Sequence, residues 1–288
     1  MAKRVQSPSS IKTFLQCPRK YYYQYIEELP TSPSIHTVRG TITHAVLEDF
    51  FDQDVTCIET ITQAQTIFRT TIQQLLVQKW RDHEAELTSL GIPQEQLITY
   101  FEETFLMLLN WLTQFMERLR ALEKPVDEAF KTLTPLREKE YLCAKYQVRG
   151  FIDAIEHVAG TIRIMDYKTN KATDIEDHKL QLGIYSLMYM EEHGRMPDFA
   201  GIYFLRTNEE TIPVDLTLLE DAKQKILYTH ERTASEHKTD YPLRISKLCN
   251  WGAGQCDFYP LCFGKKTSDE LTPLRKTAPP ATNATDHS

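Results

Sequence analysis

At 288 residues, with 41% hydrophobic and 25% charged positions, the chain has the make-up of a soluble globular protein, with room for one large domain or two modest ones. Its formal net charge of −7 argues against general nucleic-acid affinity while leaving room for a local basic groove. No apolar run approaches the ~20 residues of a membrane span. The opening Met-Ala-Lys-Arg-Val-Gln-Ser-Pro lacks the apolar core of a signal peptide. A cytoplasmic location is therefore the expectation, and there cysteines are not expected to form structural disulfides.

In chain order, residues 1–8 read as a loose leader. Ser9 or Ser10 can cap a helix through Ile11, Phe14 and Leu15 to Cys17-Pro18. Arg19-Lys20-Tyr-Tyr-Tyr-Gln-Tyr interleaves bases with aromatics, a pattern suited to phosphates and stacked bases, although tyrosines at helical spacing more often pack. Arg39 and Lys171 are the other candidates for nucleic-acid contact. A helix from about Thr41 to Asp52 puts His44 and Glu48 on one face. Residues 58–124 form an all-helical insertion with two amphipathic runs separated by Gly91-Ile-Pro93. Pro125 and Pro135 bracket an extended connection, and Arg137 to Val148 reads as a strand.

The stretch from Val148 to Lys168 reads as a β-hairpin turning at Ala159-Gly160, because a glycine supplies the positive φ of a tight turn. With those two as the loop, Val158 faces Thr161 and Asp153 stands across from Asp166. Opposed residues share a sheet face at roughly 4.5–5.5 Å between Cβ atoms, and Lys168 joins them by the period of two. Two adjacent carboxylates repel unless a cation separates them, and oxygen ligands of this kind suit Mg²⁺ or Mn²⁺. A helix near Ile175–His193 follows, with Gln181 and Tyr185 on one face. Asp198–Arg206 is an apolar strand and Thr217–His237 an amphipathic helix. Cys249, Cys256 and Cys262, set among aromatics and glycines, suggest thiolate ligation of a soft metal centre. From Gly264 the composition is that of a disordered tail.

Gly150-Phe-Ile-Asp153 followed by Asp166-Tyr-Lys168-Thr and Gln181-x-x-x-Tyr185 resembles the PD-(D/E)xK nuclease superfamily, and most closely its RecB-like and AddB-like branch. The wording Cys17-Pro-Arg-Lys-Tyr-Tyr and Gly40-x-x-x-His44 is similar to further segments of that branch. The resemblance implies a restriction-endonuclease-like α/β fold: a mixed sheet flanked by helices, with the helical insertion at 58–124 and a cysteine-bound cluster at 249–262. It implies a nuclease domain over 9–263 and a tail over 264–288. It also implies a divalent-metal-dependent deoxyribonuclease in which His44, Asp153, Asp166 and the carbonyl of Tyr167 hold the metal. Glu140 on the first strand, with Glu138 as the alternate, assists metal or water, Lys168 positions the attacking water, and Gln181 and Tyr185 border the site. Cys17, Cys249, Cys256 and Cys262 would hold a [4Fe-4S] cluster, with structural Zn²⁺ as the alternative. Relatives with that cluster are mostly exonucleases on single-stranded ends, in DNA repair, recombination or CRISPR adaptation, so the expected partners are DNA and a helicase or CRISPR adaptation protein. The alternative function is a non-catalytic DNA-end-binding or assembly subunit.

Overall fold

In the computed structural model, residues 4–170, 174–251 and 254–264 are described. The helices are α1 (Pro8–Gln16), α2 (Pro18–Tyr21), α3 (Ile35–Asp49), α4 (Ile61–Asp82), α5 (Glu84–Ser89), α6 (Gln94–Ala121), α7 (Val126–Leu133), α8 (Lys179–His193), α9 (Leu216–Arg232) and α10 (Tyr259–Cys262). The strands are β1 (Leu136–Cys143), β2 (Val148–Val158), β3 (Thr161–Lys168), β4 (Phe199–Phe204), β5 (Glu209–Pro213), β6 (Asn250–Trp251) and β7 (Gly254–Gln255). They divide into two units, one of Met1–Pro8 with Pro33–Leu227 and one of Ser9–Ser32 with Tyr228–Ser288.

The first unit is built on a five-stranded sheet in the order β1-β2-β3-β4-β5. Only a crossover can join parallel neighbours, and α8 supplies it between β3 and β4. The other neighbouring pairs are antiparallel. The central hairpin has the expected register, with Val158 opposite Thr161 and Ala154 opposite Met165. Ala159 and Gly160 both have positive φ, 52° and 81°, as a type I′ turn demands. The preceding strand is shorter than expected. It stops at Cys143, which pairs with Val148 across a four-residue turn, so residues 144–147 reverse the chain where a continuous strand was expected. The short edge strand β5 carries no clear sequence signal.

Two expectations about connections fail for local reasons. The segment between Pro125 and Pro135 is helix α7, not an extended connection: Val126, Ala129, Phe130 and Leu133 recur at helical spacing and are buried. Pro125 stands at its N-cap, where a missing N–H costs nothing, and Thr134 is extended because it precedes Pro135. The leader is not loose throughout, since Gln6 is fully buried and bridges to Val148 in parallel, exchanging backbone hydrogen bonds with Gln147 and Arg149 at 2.9 Å. Residues 1–3 and the tail beyond Gly264 lie outside the described residues.

The helices of 58–124 do not form a separate lobe. Phe50 of the segment after α3 packs edge-on against Phe68 of α4 and against Trp111 and Phe115 of α6, and tilted against Phe130 of α7. The same buried cluster continues into Ala154, Met165, Tyr167 and Tyr203 of the sheet. One face of the sheet is thus closed by α3, α4, α6 and α7.

The second unit gathers α1, α2 and the π-helical turn Tyr22–Ile26 with the chain after residue 227. Tyr21, Tyr22 and Tyr23 are buried with Phe14, Tyr241 and Phe258, so these tyrosines pack internally and offer no stacking surface for bases. Arg19 donates through Nε to the carbonyl of Tyr241 at 2.7 Å, holding this unit together, while Lys20 beside it is half-buried.

Candidate metal centre

Asp153 lies one residue past the last hydrogen-bonded pair of the β2–β3 ladder. There its side chain takes over from the backbone: Oδ2 accepts the N–H of Tyr167 at 2.8 Å. Asp166 is almost fully buried and is held from both sides, Oδ1 accepting from Gln181 Nε2 at 2.8 Å and Oδ2 facing Lys168 Nζ at 2.5 Å. Gln181 also donates to Tyr185 Oη at 2.9 Å, so the first turns of α8 carry this pair to the end of β3. The Tyr185 ring fits against Gly150, where an added Cβ would meet it at 3.1 Å.

His44 reaches the same spot from α3. Its Nε2 is 3.1 Å from the carbonyl oxygen of Tyr167, and its Nδ1 is 3.4 Å from Asp153 Oδ2 and 3.8 Å from Glu138 Oε1. Among the described residues, His44, Glu138 and Asp153 are the one group of three metal-ligating side chains with donor atoms all within 4.8 Å of one another. Ligands of an octahedral ion at ~2.1 Å lie no further apart than that.

Glu140, the first choice for the glutamate of the leading strand, is exposed opposite Phe151 and outside this group. Residues two apart share a face only in an undistorted strand. Glu138 has φ 44° and is skipped between the pairs Arg137–Ala154 and Lys139–Ile152, which turns it toward His44. Arg39 is likewise misplaced as a nucleic-acid contact: it is 2% exposed, paired to Glu103 at 3.2 Å and bonded through Nε to Thr104. Lys171 lies outside the described residues.

The charges of the cluster act on one another. Burial would lower the His44 pKa, yet hydrogen bonds to Asp153 and Glu138 and the charges of Asp153 and Asp166 outweigh it and lift it to about 10. Burial and the neighbouring Asp153 push the Asp166 carboxyl up, with Lys168 and His44 opposing. Without metal, an imidazolium thus supplies positive charge that a divalent ion would supply better.

A profile described as the PD-(D/E)XK nuclease superfamily matches residues 6–263. The chain belongs to the PD-(D/E)XK nuclease superfamily. No curated protein matches the chain. Among solved structures, a candidate exonuclease from Eubacterium rectale is similar with a TM-score of 0.47 and 12% identity, over 86% of each chain.

A support behind this cluster carries no sequence signal. The Tyr167 ring stacks on Tyr203 at 5.4 Å, Tyr203 Oη donates to Glu156 Oε1 at 2.8 Å, and Arg118 of α6 grips both oxygens of Glu156 at 2.8 and 2.9 Å. In the second unit, the thiols of Cys17, Cys249 and Cys256 act on Cys262, whose pKa burial and those neighbours push up to about 11. Cys256 N–H donates to the carbonyl of Cys249 at 3.1 Å across the β6–β7 hairpin. Of the two remaining cysteines, Cys57 is exposed and Cys143 is buried in β1.

Proposed function

We propose that the chain is a divalent-metal-dependent deoxyribonuclease that hydrolyses phosphodiester bonds, acting as an exonuclease on single-stranded ends. The observation that carries this reading is the convergence of His44, Glu138 and Asp153 beside the Tyr167 carbonyl, with Asp166 and Lys168 next to them. His44, Glu138, Asp153, Asp166 and the Tyr167 carbonyl would hold Mg²⁺ or Mn²⁺, a hard cation matched to oxygen donors and one imidazole. When bound, the ion would polarise a phosphate oxygen and acidify a water. Lys168, anchored by Asp166, places an ammonium where charge develops on the phosphate and orients the attacking water. Gln181 holds the other oxygen of Asp166 and so keeps the lysine's anchor in one rotamer.

The four cysteines of the second unit would hold a [4Fe-4S] cluster, as in the RecB-like and AddB-like branch. Support for one shared centre is that Cys17, Cys256 and Cys249 all act on the Cys262 thiol; a single zinc held by the same thiolates is the alternative.

The test is cleavage of end-labelled linear and of circular single-stranded DNA with Mg²⁺ or Mn²⁺. Metal-dependent release of nucleotides from linear DNA is expected, lost in Asp166→Asn and in Lys168→Ala. Calorimetric titration should show that Lys168→Ala still binds Mn²⁺. Wild-type protein that binds metal but cleaves neither DNA would overturn the reading.

A further inference from the structure

The parallel pair β3–β4 ends with Lys168 opposite Phe204, and two residues further on stands Arg206. Ligands of open sheets gather outside the carboxyl ends of parallel strands, so this is where a substrate would lie. Arg206 Nε donates to the carbonyl of Thr169, the residue after Lys168, at 3.1 Å. Its Nη2 meets Glu103 Oε2 at 2.9 Å, and Arg39 Nη2 meets that same oxygen at 3.2 Å.

Two guanidinium groups therefore share one carboxylate oxygen, which leaves positive charge in excess beside the catalytic lysine. The excess is felt by the groups involved: burial and the charge of Arg206 both depress Arg39, and the two arginines hold Glu103 below the usual carboxylate range. Arg39 is walled in, with its guanidinium 4.9 Å from the Tyr100 ring centroid. Arg206 is the one that can be reached, its side chain 24% exposed. Its Nη1 has no protein partner among the described residues. The loop presenting it is tied to α6, where Asn110 donates to the carbonyls of Leu205 at 3.1 Å and Thr207 at 2.6 Å. A fixed guanidinium with an open edge is suited to a phosphate.

We propose that Arg206 binds a backbone phosphate of the substrate strand, next to the phosphate faced by Lys168, with Arg39 and Glu103 as positioning residues behind it. This rests on the nuclease reading for the identity of the ligand.

The experiment measures binding of a fluorescent single-stranded oligonucleotide by anisotropy across a series of KCl concentrations. It uses full-length Asp166→Asn protein with and without Arg206→Ala, and Asp166→Asn with Arg195→Ala as a control. Arg195 is exposed and pairs with Asp198 and the carbonyl of Gly160 at the hairpin turn, away from Lys168. Arg206→Ala should weaken binding roughly tenfold at low salt and make the slope of log affinity against log salt shallower by about 0.7, one phosphate contact on a single strand. Arg195→Ala should leave the slope alone, and Arg206→Lys should restore it while recovering only part of the affinity. In the cleaving background Arg206→Ala should raise KM more than it lowers kcat. An unchanged slope, or equal changes in the Arg206 and Arg195 variants, would overturn the inference, as would no binding of the oligonucleotide by Asp166→Asn protein. A shallower slope in a chain whose wild type cleaves no DNA would uphold the phosphate contact and overturn the nuclease reading alone.

Discussion

At the residue scale, the decision between Glu138 and Glu140 turns on one backbone angle. Positive φ is uncommon outside glycine, and such residues concentrate at functional sites. Because Glu138 occupies the cluster and Glu140 the solvent, Glu138→Gln should lower metal-dependent cleavage about 100-fold or more. Glu140→Gln should stay near wild type in the same assay, and the reverse ranking would return Glu140 to the site. His44 makes a second prediction. Its metal-free pKa is about 10, and only the neutral imidazole can ligate, so metal binding at pH 7 should release about one proton. Mg²⁺ affinity should rise roughly tenfold per pH unit between pH 7 and 9. Calorimetry in buffers of different ionisation enthalpy counts the proton, and a count of zero would remove His44 from the ligand set. For the metal-free fold the sign is opposite. A histidine raised by its partners contributes fully below its unfolded value and loses that contribution as pH climbs through about 10, so metal-free stability should fall over the range in which metal affinity improves.

At the element scale, β3 is held from both faces, by Gln181 of α8 on one side and by the Tyr203–Glu156–Arg118 chain to α6 on the other. Glu156 is 4% exposed and pairs with Arg118 at 2.8 Å and with Arg163 at 3.5 Å. Removing the carboxylate strands the Arg118 guanidinium. Glu156→Ala should therefore destabilise the protein by about 3–5 kcal/mol, read from urea unfolding midpoints. Glu156→Gln, which keeps hydrogen-bond acceptance toward Tyr203, should cost clearly less. Wild-type stability of Glu156→Gln would show that the ion pair contributes nothing beyond the volume and the hydrogen bond that the amide keeps.

At the scale of the whole molecule, the second unit is assembled from two stretches separated by Pro33–Leu227 of the first unit. A centre bound by Cys17 together with Cys249, Cys256 and Cys262 would close that intervening chain as one loop. By the cross-link estimate, closure is worth about 4–5 kcal/mol, comparable with a domain's net stability. Anaerobically purified protein should be brown and contain iron and acid-labile sulfide in near-equal amounts. Cys17→Ala or Cys256→Ala should bleach it and lower its thermal midpoint, whereas Cys57→Ala and Cys143→Ala should keep the colour. Colourless, folded protein with stoichiometric zinc would put a structural zinc site in place of the cluster.

Local chemistry alone determined a good part of this protein. The hairpin register follows from one turn, since a two-residue loop with glycine leaves a single way to oppose the strands, and it set Asp153 against the end of β3. The Asp166–Lys168 spacing and the Gln181–Tyr185 spacing follow from the periods of strand and helix. Where packing overrode periodicity, the sequence misled: Pro125 opened a helix, and the twist at Glu138 exchanged two glutamates that period two treats as equal. Arg39 and Arg206 are both isolated arginines in the sequence. Only tertiary packing buried the first against Tyr100 and left the second open beside Lys168, because burial depends on residues far along the chain that no local pattern encodes.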